Sequence, residues 1–223
     1  MPAASGIKRV AAAFLAASVL LLGNSLRADA QITLVAFGDS LTAGYNLPQG
    51  DGFAPQLEKW LKEQGVDDVT VVNAGVSGDT TTGGLARLEW TLPAETDAVI
   101  LELGGNDLLR GIPPELTRRN LDEMMRILTD KNAPVLLAGI RAFGNYGEDY
   151  RRQFNAIYPE LAEKYDSALY PSFLEALGSN PDLFLPNDFH PNTQGVRVLV
   201  EDIGPLVIEL IDAARARDAA AVQ

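Results

Sequence analysis

The sequence predicts an α/β protein, a three-layer α/β/α sandwich built on a parallel sheet. Two observations carry this. Short apolar runs rich in Val, Ile and Leu recur along the chain, each closed by Gly, Asn or Asp. Helix-length stretches separate them almost to the C-terminus, which is the pattern of parallel strands joined by crossover helices. Of the 223 residues, 47% are apolar, ordinary for a domain with a substantial core.

The first strand is residues 32–36, an apolar run broken by Phe37-Gly38-Asp39-Ser40. Residues 53–64 read as an amphipathic helix, with Phe53, Leu57, Trp60 and Leu61 on one face and Gly65 as its stop. A β-branched strand at 68–72 ends in a loop holding Gly75 and Gly78, and 80–92 reads as the next helix. An apolar strand at 97–103 ends in Gly104-Gly105-Asn106-Asp107. Residues 113–131 read as a helix with proline near its start. A strand at 134–140 follows, then a helix at 147–164 with Pro159 as a candidate break. A short strand at 168–170 leads through a loop to Asp188-Phe189-His190-Pro191-Asn192. The last helix is expected over 193–216, with Gly204-Pro205 as a candidate bend. With no repeat and no linker, the expectation is a single domain.

Residues 1–30 read as a signal peptide rather than as part of the fold. Lys8 and Arg9 precede an apolar run at 10–22, and Ala28-Asp29-Ala30 has the small-x-small form of a cleavage site. Cleavage after Ala30 leaves Gln31 first and the domain at 31–223. The apolar run is short for a membrane span, so no stable insertion is expected after cleavage. The location implied is periplasmic or secreted. The net charge of −12 disfavours nucleic acid, which calls for a basic face, and disfavours anionic membranes. The chain has no cysteine, which excludes disulfides, a cysteine nucleophile and thiolate metal sites.

Three loops that carry reactive or donor groups follow successive strands, at Ser40, Gly78 and Asn106. In a parallel sheet those strand ends share one rim, where ligands bind. A serine there needs a base, and His190 is the single histidine of the sequence. One histidine also argues against a histidine-rich metal centre, and neither metal nor cofactor is expected.

Gly38-Asp39-Ser40-Leu41, Gly78, Gly104-Gly105-Asn106-Asp107 and His190-Pro191-Asn192 resemble, in order, the four blocks of SGNH (GDSL) hydrolases. Longer stretches are similar to the branch of periplasmic acyl-CoA thioesterase I, lysophospholipase L1 and arylesterases. These are Ser77-Gly78-Asp79-Thr80, Glu102-Leu103-Gly104-Gly105-Asn106-Asp107, Leu109-Arg110-Gly111, Asn145-Tyr146-Gly147 and Ala156-Ile157-Tyr158-Pro159. The resemblance implies a flavodoxin-like central sheet and no cofactor. It makes Ser40 the nucleophile and His190 its base. The oxyanion hole would be the backbone N–H groups of Ser40 and Gly78 with the Asn106 side-chain amide. Glycine suits position 78 because its N–H can approach substrate with no Cβ in the way. Asp39 is expected to hydrogen-bond within its own turn, and Asp107 to cap the helix that follows.

One position departs from the family pattern. That pattern places the acid three residues before the histidine, where this chain has Asn187; the nearest carboxylate is Asp188, two residues before. Either the loop shifts so that Asp188 reaches the imidazole, which is the reading adopted, or the Asn187 amide takes its place.

Around the site, the segment 108–114 is expected to overhang as a substrate-binding loop, with Leu108, Leu109 and Ile112 as contacts, and residues 143–150 to form a second wall. Apolar walls suit acyl chains or aryl groups. The partner implied is a small ester or thioester: short- to medium-chain acyl or aryl esters first, then thioesters and lysophospholipids. The rival readings are an acyltransferase or deacetylase acting on envelope polysaccharide, a non-catalytic ligand-binding relative, and an α/β metal- or phosphate-binding protein. The last is opposed by the absence of a Gly-rich phosphate motif with Lys.

Overall fold

The computed structural model describes residues 31–144 and 146–221; the expected signal peptide and Asn145 lie outside them. Five strands form one parallel sheet: β1 (Ile32–Gly38), β2 (Val69–Gly75), β3 (Ala98–Glu102), β4 (Val135–Ala138) and β5 (Ala168–Tyr170). Their spatial order is β2-β1-β3-β4-β5, the flavodoxin-like order. The chain moves outward from β1 to β2, then returns to the other side of β1 for β3. This reversal opens a crevice outside the C-terminal ends of β1 and β3, where α/β proteins bind ligands.

The central strands are buried on both faces, as the continuous apolar runs require. Leu34, Val35, Ala36 and Phe37 of β1 and Val99, Ile100 and Leu101 of β3 are at most 1% exposed. On one face α2 (Phe53–Glu63) packs against α7 (Thr193–Ala221). On the other, α5 (Pro114–Asp130) packs between α3 (Thr81–Thr91) and α6 (Glu148–Tyr165). The three layers are those the sequence predicts.

The differences lie at the loops that matter most. β2 runs on to Gly75, through Asn73 and Ala74 that read as loop, because its pairing with β1 continues as far as Gly38↔Gly75. The Ser40 loop contains a one-turn helix, α1 (Ser40–Ala43), and the Asn106 loop another, α4 (Gly105–Leu109). Both are too short to leave a periodic signal. Pro159 does not break α6, which continues to Tyr165.

Candidate active site

Ser40 is the first residue of α1, directly after β1. Asp39 caps this turn: its Oδ1 accepts from the Leu41 N–H at 3.0 Å, satisfying a donor the short helix would leave bare. Gly44 ends the turn in the left-handed conformation, φ 80°. The serine thus stands at the strand end, on the rim of the sheet.

His190 arrives from the far end of the chain on a tied-down loop. The Leu185 N–H donates to the His190 carbonyl at 2.8 Å, and the Asn192 N–H to the Leu183 carbonyl at 2.9 Å. Asn192 also accepts from the Gly195 N–H at 3.0 Å, closing the start of α7. The imidazole Nε2 lies 2.8 Å from the Ser40 Oγ, and Nδ1 lies 2.7 Å from the Asp188 Oδ1. A carboxylate can only accept, so Nδ1 carries the proton and Nε2 accepts from the serine hydroxyl.

Of the two candidate acids, then, Asp188 reaches the ring. The two-residue spacing works because Asn187 adopts φ 55°, a left-handed conformation that asparagine tolerates. Asp188 Oδ1 also accepts from the backbone N–H groups of Phe189 (2.7 Å) and His190 (3.2 Å). Burial alone would raise this carboxyl; the donors from His190 and Phe189 outweigh it and hold it below the usual carboxylate range.

The spacing has a second consequence. Phe189, between acid and base, turns its ring onto the imidazole with centroids 4.3 Å apart, and Tyr45 packs on it at 4.5 Å. The histidine side chain is restrained by two aromatic rings as well as by two hydrogen bonds. Sequence reasoning gave neither aromatic a role.

The three candidate oxyanion residues, Ser40, Gly78 and Asn106, line one cavity of about 180 Å³ with His190. Asn106 Nδ2 donates to Asp39 Oδ2 at 3.0 Å, so the acid that caps the nucleophile turn also aims the amide. The second amide hydrogen is left for substrate. Gly78 has φ 84°, and an added Cβ would meet nothing closer than Arg110 at 3.9 Å. The left-handed backbone by itself favours glycine here, and no protein group crowds the position, which lines the cavity beside Ser40. Arg110 donates to the Gly78 carbonyl at 2.8 Å.

Asp107 does not cap the helix that follows it. It is fully buried within α4, and its carboxylate accepts from the Thr81 N–H at 2.8 Å and from the hydroxyls of Thr81 (2.5 Å) and Thr117 (3.1 Å). It ties the start of α3 to α4, and with it the Gly78 loop to Asn106. Arg87 does similar work beneath: it pairs with Asp79 at 2.6 Å and donates to the carbonyls of Ala74 and Gly38, both at 2.9 Å.

A second cavity of about 520 Å³ adjoins the first, sharing Leu41, Gly105, Leu109 and Phe189 as walls. Leu108, Phe143 and Tyr146 line it further, as the expected overhang and second wall do. Ile112 lines neither cavity. The chain turns back after α4, with the Ile112 N–H bonded to the Asp107 carbonyl and the Ile112 carbonyl accepting from the Tyr150 hydroxyl.

A serine hydroxyl bonded to an imidazole, itself bonded to a carboxylate, at the switch point of a parallel sheet is the arrangement of serine hydrolases. Comparison with known proteins narrows the class. The chain belongs to the GDSL-like Lipase/Acylhydrolase family, whose profile matches residues 36–198. It is 38% identical over 192 residues to an arylesterase of Vibrio mimicus, spanning 86% of this chain and 96% of that one. It is 40% identical over 170 residues to thioesterase 1/protease 1/lysophospholipase L1 of Escherichia coli K12, spanning 75% and 79%. The crystal structure of AlinE4, an SGNH-hydrolase family esterase, superposes with a TM-score of 0.68 at 44% identity, covering 80% of this chain and 96% of that one. The chain is a serine esterase, a carboxylic ester hydrolase of the SGNH type.

Proposed function

We propose that this esterase cleaves short- to medium-chain acyl and aryl esters through an acyl-enzyme on Ser40. The observation that carries the reading is the unbroken relay from Asp188 through His190 to Ser40, with both links under 3 Å. His190 Nε2 takes the hydroxyl proton as Oγ attacks the carbonyl carbon, and Asp188 stabilises the imidazolium that forms. The Ser40 and Gly78 N–H groups and the Asn106 amide receive the negative oxygen. His190 then protonates the departing alcohol, and a water attacks the acyl-enzyme by the same route in reverse.

Asn106→Ala is expected to lower kcat by ~10²–10³ with little change in KM. Steady-state kinetics on a p-nitrophenyl ester check it.

The larger cavity is the proposed acyl site, with Leu108 and Leu109 as contacts; its walls are mostly apolar, with Arg141 and Ser172 among them, and it adjoins the cavity that holds Ser40. Thioesters and lysophospholipids are secondary substrates. The names of the arylesterase and the thioesterase/lysophospholipase relatives support this range. A series of p-nitrophenyl esters from acetate to palmitate tests it. Turnover is expected to peak at intermediate length; no cleavage at any length overturns the reading.

Residues 1–30 are proposed as a signal peptide cleaved after Ala30, with one hydrolase domain from Gln31 and a periplasmic or secreted product. Supporting this, β1 begins at Ile32, just past the proposed cleavage point, and the chain from Gln31 onward forms one unit by its internal contacts. No described helix is long and apolar enough to cross a membrane. N-terminal sequencing of the exported protein should begin at Gln31; a start at Met1 contradicts it.

A further inference from the structure

We propose that Glu102 is a positioning residue for Ser40: an uncharged carboxyl group that braces the nucleophile turn from beneath. Glu102 ends β3 and is fully buried. Its Oε2 accepts from the Thr42 hydroxyl at 2.9 Å and from the Asp39 N–H at 3.3 Å. These two residues flank Ser40 and Leu41, so one oxygen on the neighbouring strand holds both ends of the turn that presents the nucleophile. The turn is built around this group. A Cβ on Gly38 would lie 2.6 Å from the same Oε2 and 2.1 Å from the Thr42 hydroxyl. The strand can only end in glycine here if the carboxyl is to reach the turn.

The surroundings argue for the neutral form. The other oxygen, Oε1, is buried and has no hydrogen-bond partner among the described residues. An anion with one bare oxygen in the core costs far more than a neutral acid with one unused donor. The groups around it offer no compensating charge. From the nucleophile turn comes the Asp39 carboxyl, itself 2% exposed. From α6 comes the Tyr158 side chain, 1% exposed, whose hydroxyl donates to the Leu103 carbonyl at 2.8 Å. The Arg87 guanidinium reaches the Gly38 carbonyl from α3 and is committed to Asp79 and two carbonyls. Burial first, and the Asp39 charge second, push the Glu102 carboxyl well above its usual range. A neutral brace is also the better one chemically. It holds the turn without placing a second negative charge beside Asp39, which must aim Asn106 at a developing oxyanion.

This inference rests on Ser40 as nucleophile, so wild-type labelling by a fluorophosphonate, mapped to Ser40, is the baseline. Against it, Glu102→Gln keeps the acceptor and removes the ionisable proton. It should retain kcat within about threefold. Glu102→Leu removes the acceptor and should lower kcat at least about tenfold, slow labelling equally and leave KM unchanged. Thr42→Val, nearly isosteric, should lower kcat by about threefold or more with KM unchanged, and it carries the test if Glu102→Leu does not fold. The protonation state has its own readout. Because the folded-state value is raised, the Glu102 contribution to stability is full below the unfolded value and is lost as pH rises through the folded one. Glutamine has no such loss, so the melting temperature of Glu102→Gln relative to wild type should climb as pH rises above the ordinary carboxylate range. Wild-type kcat in both Glu102→Leu and Thr42→Val overturns the positioning role. A Glu102→Gln variant as slow as Glu102→Leu, or a flat melting difference, overturns the neutral form. Failure of the wild type to label at Ser40 overturns instead the reading on which both depend.

Discussion

Replacing Ser40 with alanine is expected to leave a folded protein that no longer turns over. Among the described residues the one side-chain bond lost is that to His190, 2.8 Å away, and the cap from Asp39 to the Leu41 N–H stays. Melting temperature should hardly move. Turnover should fall by ~10⁶, the scale seen when the nucleophile of a serine hydrolase is removed. His190→Ala should fall as far, since this chain has no second histidine to take the proton. The two losses should not add, because serine and base act as one unit. A double variant no slower than either single one, measured with a sensitive fluorogenic ester, is the expected outcome. Additive losses would mean that the two groups act independently.

The second large effect separates Asp188 from Asn187. Asp188→Ala removes the acceptor at Nδ1 and frees the ring to take the wrong tautomer, a defect worth ~10⁴ in turnover. Asn187→Ala should leave most activity. Its cost should appear in stability, because alanine at φ 55° is strained by roughly 1–2 kcal/mol. Comparing kcat and melting temperature for the two variants separates a group that acts on the imidazole from one that shapes the loop. The pH dependence has a definite sign. The Asp188 carboxyl is depressed in the fold, so the stability it supplies is present above its unfolded value and is lost as pH falls through the lower folded value. Asp188→Ala should therefore lose less stability than wild type on acidification below about pH 4.

The sheet was legible because its strands are apolar runs punctuated by Gly, Asn and Asp, and the rim followed because parallel strands end on one side. Ser40, Gly78, Asn106 and His190 are brought to one cavity from loops spread over most of the domain. What stayed hidden depends on contacts between distant segments. α1 and α4 are single turns held by Asp39, Asp107 and their partners, not by propensity. The acid could be narrowed only to two neighbours, since the choice turns on one left-handed residue, Asn187. Ile112 has the right chemistry for a substrate wall but is carried away by the turn after α4. Gly78 has a further reason to be glycine that the sequence does not show, its φ of 84°. Glu102 reads in sequence as an acid at a strand end, and only the fold puts its carboxyl under the nucleophile.

The most direct measurement is the mass of the enzyme after reaction with a fluorophosphonate or a slowly hydrolysed ester, followed by peptide mapping. One covalent adduct on Ser40, absent from His190→Ala, is the expected result. An adduct on another residue, or an active enzyme that never carries one, would contradict it.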